Sequence, residues 1–208
     1  MQSAKIDEIF GYLVEKFGPA PRCELVYSAD HELLIAIMLS AQCTDVRVNA
    51  VTKNLFTRYK SLKDFANANQ VELEREIYST GFYKNKARNI ISMANQVIKN
   101  HGGKIPKDID MLVGLAGVGR KTANVFLAEF YKIPAIGVDT HVSRVSKRLG
   151  FSDGNNPVHI ERDLKAIFDA ENWCDYHLYM VLFGRYFCTS RRPKCDECGV
   201  KKYCSFLP

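Results

Sequence analysis

Three groups of residues in this chain have the types and spacing to do chemistry. The first is the run Leu115-Ala116-Gly117-Val118-Gly119-Arg120-Lys121-Thr122. Its glycines let the backbone come close to a large partner and turn amide N–H groups outward. A helix starting directly after such a turn presents its positive end there, which suits a phosphate. A lysine in that first turn is a cation beside partial positive charge, so its neutral, nucleophilic amine is favoured. The second group, Val138-Asp139-Thr140-His141, supplies a carboxylate one helix later. The third is Cys188, Cys195, Cys198 and Cys204, separated by six, two and five residues. Crowded thiolates repel, so the pattern implies a cation that binds them, either zinc or an iron–sulfur cluster. Zinc sites usually bring two close cysteine pairs, and here only Cys195 and Cys198 form one.

Helices must hold these groups. Ile6, Ile9, Phe10, Leu13, Val14 and Phe17 make an apolar stripe that Gly18-Pro19-Ala20-Pro21 stops. Leu33 to Leu39 is apolar on all sides and predicts a buried central helix, with Asp30 as its N-cap. Thr44 is expected to cap a helix carrying Val48, Val51 and Leu55. Ala87, Ile90, Ile91, Ala94, Val97 and Ile98 give another stripe, ended by Gly102-Gly103 and Pro106. A short helix over 108–113, the glycine turn and a helix over 120–131 form a helix–hairpin–helix. Asp139 or Thr140 caps a helix reaching Leu149, Pro157 opens another in its first turn, and Trp173 to Phe187 is the last long one. No alternating strand pair, internal repeat or low-complexity segment is present, so the expected class is all-α.

A net charge of +6 on 208 residues favours a polyanionic partner. The N-terminus is no secretory leader, and no apolar run approaches the ~20 residues of a membrane span. A cytoplasmic protein (nucleoid-associated if bacterial) is expected, with its cysteines reduced and used for metal. Cys23, Cys43 and Cys174 stand alone and read as small buried apolar residues. The metal segment is crowded with Arg185, Arg191, Arg192, Lys194, Lys201 and Lys202, against Asp196 and Glu197. A metal that fixes such a loop turns it into a surface for phosphates.

Taken together, the hairpin with Lys121, the Val138-Asp139-Thr140-His141-Val142 run and the terminal cysteines resemble the endonuclease III family of DNA glycosylases and AP lyases. The resemblance covers essentially the whole chain and extends to Leu39-Ser40-Ala41-Gln42-Cys43-Thr44-Asp45. It favours a [4Fe–4S] cluster on Cys188, Cys195, Cys198 and Cys204. It implies a two-domain fold: a six-helix barrel over 22–134, and an iron–sulfur helical domain from 1–21 and 135–208, with the DNA cleft between them. The implied partner is double-stranded DNA carrying an oxidised pyrimidine or an abasic site, bound by a single copy of the chain.

The implied mechanism flips the damaged nucleotide out of the duplex. Lys121 attacks C1′, the base leaves, and β-elimination from the Schiff base cuts the strand. Asp139 stabilises charge developing on the sugar. Gly117, Val118, Gly119 and Thr122 would hold a phosphate, Gln42 would fill the gap left by the flipped base, and Phe82 would wedge the opposite strand, with Arg191 and Lys194 as further DNA contacts. Phe82 stands where the family often has leucine, Cys43 where it often has alanine, and Ala116 where many members have proline. His141 is read as structural. Two rivals compete: an adenine glycosylase of the same superfamily, which typically lacks the lysine and carries a further C-terminal domain, and a non-catalytic DNA-binding or electron-transfer iron–sulfur protein. The second leaves the pairing of Lys121 with Asp139 as coincidence.

Overall fold

The computed structural model describes residues 2–206, with backbone only at Gln2. Among the described residues, eleven α-helices run in chain order: α1 (Gln2–Phe17), α2 (Asp30–Leu39), α3 (Asp45–Arg58), α4 (Leu62–Ala66), α5 (Gln70–Glu76), α6 (Tyr83–His101), α7 (Ile109–Val113), α8 (Arg120–Phe130), α9 (Thr140–Arg148), α10 (Pro157–Ile167) and α11 (Trp173–Tyr186). Short 3₁₀ turns occur at Tyr78–Thr80, Ala170–Asn172, Cys195–Glu197 and Lys201–Tyr203, and no strand is found among the described residues. Among the described residues, no helix is long and apolar enough to cross a membrane.

The chain divides into two compact units, Glu24–Tyr131 and Met1–Cys23 with Lys132–Pro208. In the first, α2 is central. Leu33 to Leu39 are all buried, and α2 packs against α3, α6 and α8. Its apolar character on every side is what lets it take three neighbours. Against α6 pack α4 and α5, which no periodicity announced. They are short and rest on Phe65, Leu73 and their caps Ser61 and Asn69. In the other unit, Ile6, Ile9, Phe10 and Leu13 of α1 meet Val142, Val145 and Leu149 around α9, Ile160 and Leu164 of α10, and Met180 and Phe183 of α11. Gly184 permits a close approach of α11 to α9, since a Cβ there would lie 2.8 Å from that of His141.

Most helix starts lie where local chemistry put them. Thr44 accepts from the Arg47 amide, Asp108 from those of Asp110 and Met111, and Asn156 from that of His159 ahead of Pro157. Asp30 is a correction. It is the first residue of α2, not its cap; Ala29 occupies the cap with no side-chain bond. The Asp30 carboxylate instead accepts from the His31 amide, and Glu32 turns back to accept from the Ser28 amide at 2.6 Å.

Candidate nucleic-acid interface and iron–sulfur site

The glycine turn joins α7 to α8. Gly117 has φ +75°, and a Cβ there would fall 2.8 Å from the Asn89 Cβ and 3.0 Å from the Met38 methyl. Conformation and space both demand glycine. The Val118 amide donates to Leu115 O at 3.1 Å and its side chain is buried, so Val118 anchors the turn. Gln96 of α6 accepts from the Ala116 amide at 2.7 Å and fixes the turn from behind. Among the described residues, the amides of Gly117 and Gly119 have no partner. Helix α8 starts at Gly119 with no side-chain cap and no acid in its first turn. Arg120 and Lys121 are exposed there, and Thr122 is half-buried.

The same unit brings Gln42, Phe82 and Gly117 together, with Asn85, Lys86 and Asn89, around an open concavity of about 650 Å³ that includes solvent space. Gln42 and Phe82 both adopt left-handed backbone, at φ +56° and +49°. For residues with a Cβ this costs about 1–2 kcal/mol each, so other contacts must impose it. Phe82 is 63% exposed. One contact comes from a residue the sequence reading missed. Lys86 on α6 is buried, and its Nζ donates to Leu39 O at 2.8 Å, Ala41 O at 2.9 Å and Thr80 O at 2.9 Å. Burial lowers its pKa from the ordinary lysine value, while the nearby Cys43 acts the other way. A signal existed: Lys86 shares a helical face with Ile90, Met93 and Val97.

Asp139 lies in the other unit, as the N-cap of α9. Its Oδ1 accepts from the amides of His141 and Val142, both at 2.8 Å. Helix α9 is tied in turn to the cysteine segment. Arg144 donates to Cys188 O at 2.9 Å and Gly184 O at 2.6 Å, and lies 3.1 Å from His141 Nδ1. Arg148 is buried and donates to Thr189 O at 2.8 Å and the Cys188 sulfur at 3.2 Å.

The four cysteines line one partly open pocket, about 380 Å³ with its solvent space, together with Leu149, Phe183 and Phe187. Its donors fit a polynuclear cluster. Four sulfurs at zinc–thiolate distance would lie roughly 3.8 Å apart, yet no three of these sulfurs gather within 4.8 Å of one another among the described residues. Burial raises the Cys198 thiol pKa, the Val200 amide opposes this, and the other three cysteines raise it again. That repulsion is what a bound cationic cluster relieves. Arg191, Arg192, Lys194 and Lys201 are exposed around the segment, whereas Lys202 is ion-paired with Glu8 of α1.

Comparison with known proteins agrees with this arrangement. Residues 35–170 match the HhH-GPD superfamily of base excision DNA repair proteins, and residues 188–204 match the iron–sulfur binding domain of endonuclease III. The chain is 45% identical to endonuclease III of Bacillus subtilis, over 93% of this chain and 90% of that protein. It is 39% identical to that of Escherichia coli K12, over 99% and 97%. A solved structure of a trapped covalent intermediate of an endonuclease III with DNA, an estranged-adenine complex, superposes with a TM-score of 0.93 at 43% identity, covering 99% of this chain and 96% of that one. With the helix–hairpin–helix core and the four-cysteine segment both matched along nearly the whole chain, this protein belongs to the endonuclease III family of base excision repair DNA glycosylases and AP lyases, and its cofactor is a [4Fe–4S] cluster.

Proposed function

We propose that this chain removes oxidised pyrimidines from duplex DNA through Lys121 and cuts the strand 3′ to the abasic site. The observation that carries the reading is the start of α8. A left-handed glycine turn leads into an uncapped helix end with two cations in its first turn. The positive helix end and the amides of Gly117 and Gly119 hold a phosphate of the damaged strand, and Thr122 borders that contact. The Lys121 amine attacks C1′, the C–N bond to the base breaks, and the base leaves with the bonding pair. The nitrogen then sheds a proton and the C1′–O4′ bond breaks, opening the sugar ring and leaving an iminium at C1′; this acidifies C2′, and loss of that proton expels the 3′ phosphate oxygen. Asp139 stabilises positive charge on the sugar. Both of its cap bonds fall on Oδ1, which leaves Oδ2 for that task.

Gln42 fills the space vacated by the flipped nucleotide, and Phe82 stacks against the opposite strand, where an aromatic contact is worth about 1–3 kcal/mol. Arg191 and Lys194 contact phosphates from the cysteine segment. When bound to Cys188, Cys195, Cys198 and Cys204, the cluster cross-links that segment and fixes its shape. The unit Glu24–Tyr131 is the barrel domain, the other unit is the iron–sulfur domain, and the enzyme works as a single copy in the cytoplasm. Borohydride trapping on a duplex containing thymine glycol tests the reading. A covalent adduct with the parent protein and none with Lys121→Ala is expected. No adduct with either folded, cluster-loaded protein would return Lys121 to the role of a phosphate contact.

A further inference from the structure

We propose that Lys86 is a positioning residue, whose buried ammonium sets the separation between the loop that presents Gln42 and the loop that presents Phe82. The inference rests on the reading of those two side chains as plug and wedge. Lys86 contacts neither DNA-facing side chain's tip in this scheme; it acts through the backbone. An ammonium has three donors, and here each is used on a different carbonyl: Leu39 at the end of α2, Ala41 directly before Gln42, and Thr80 two residues before Phe82. Two of those carbonyls lie just before Gln42, at the end of α2 and directly after it, and the third ends the 3₁₀ turn before Phe82, so a single charged atom spans both approaches.

The choice of side chain is informative. Burying an ammonium is costly unless it is fully hydrogen-bonded, and the neighbours of Lys86 on its helical face are Ile90, Met93 and Val97, which fill the core without charge. A methionine would fill the same space. What lysine adds is a rigid link between carbonyls at the ends of two elements and the loop that follows one of them. The link sits where it is needed, because Gln42 and Phe82 both hold left-handed backbone and both border the same concavity with Lys86. Two exposed side chains that must enter a duplex from opposite strands need a fixed gap between their backbones. A displacement of one ångström in such an arrangement costs about 100-fold in rate.

The test compares Lys86→Met with the parent enzyme on two duplexes. One carries thymine glycol opposite adenine. The other carries an abasic site opposite a second abasic site, where no base has to be held apart. We expect kcat/KM to fall on the order of 100-fold on the first and under about threefold on the second. Lys86→Gln, which keeps two N–H donors, is expected to recover part of the loss and also serves if Lys86→Met does not fold. Equal loss on both duplexes would mean that Lys86 only stabilises the fold, and no loss on either would mean that it positions nothing; either result overturns the proposal. Gln42→Ala and Phe82→Ala run as controls. If they shift the ratio between the duplexes and the folded Lys86 variant does not, the proposal alone fails. If they leave the ratio unchanged, the plug-and-wedge reading fails and the proposal falls with it.

Discussion

Helix α9 begins under a carboxylate, with Asp139 Oδ1 accepting from the amides of His141 and Val142, whereas α8 begins after Gly119 with no side-chain cap and with Arg120 and Lys121 in its first turn. A helix start carries partial positive charge and is ordinarily matched by an acid or a cap. Helix α9 follows that rule and satisfies itself. Helix α8 breaks it, and the exposed Lys121 cation there destabilises the isolated fold by about 0.3–1 kcal/mol. A sequence accepts that loss where an external anion repays it. The contrast separates a helix end built to hold its own side chain still from one built to be completed by a ligand. Their surroundings agree: α9 is strapped to the cysteine segment by Arg144 and Arg148, while the turn before α8 is fixed from behind, by Val118 and Gln96.

The sharpest way to break the contrast is Lys121→Ala. Strand cleavage on an abasic duplex should fall by about 10⁴-fold or more. Stability in urea should not fall, and should rise by up to about 1 kcal/mol as a cation leaves the helix end. A destabilised Lys121→Ala protein would show that α8 is internally satisfied after all. Next in size is Cys198→Ser. Without the cluster, the unit holding α9 should lose at least about 4 kcal/mol, and DNA affinity should fall with it. Calorimetry and a binding titration, run on the same preparation, check this; full affinity in a folded, cluster-free protein would detach the cysteine segment from DNA binding.

Gly117→Ala should cost about 1–3 kcal/mol through backbone strain, with added crowding against Asn89 and Met38, and should weaken DNA binding. A variant that binds as tightly as the parent would remove the turn from the interface. The smallest loss of stability is at Asp139. Asp139→Ala should destabilise by about 1 kcal/mol, while Asp139→Asn, which still caps, should be nearly neutral. Both should lose most base-excision turnover, measured by single-turnover kinetics. If Asp139→Asn keeps full activity, the carboxylate serves α9 alone.

Much of the molecule was legible in the residues. The caps at Thr44, Asp108, Asp139 and Asn156 follow from side chains that bond amides two or three residues on. The long helices follow from apolar spacing. Asp30 misled because an acid before an apolar run looks the same whether it caps or begins the first turn, and Ala29 took the cap without any side-chain signal. Helices α4 and α5 were invisible because five and seven residues are too short to show a period. Lys86 and Arg148 interrupt apolar faces, which is a readable anomaly, but nothing in their neighbours named a partner.

By itself the sequence determined the helical class, the open and cationic start of α8, the capped start of α9 and the four-cysteine segment. Each depends on residues close together along the chain, where covalent spacing fixes geometry. Only the tertiary structure decided that Gln42, Phe82 and Gly117 border one concavity, that Lys86 links two loops, and that Arg148 reaches the Cys188 sulfur. The physical reason is that most of these links end on backbone carbonyls. Every residue carries one, so no pattern of side chains marks which of them a distant lysine or arginine will find.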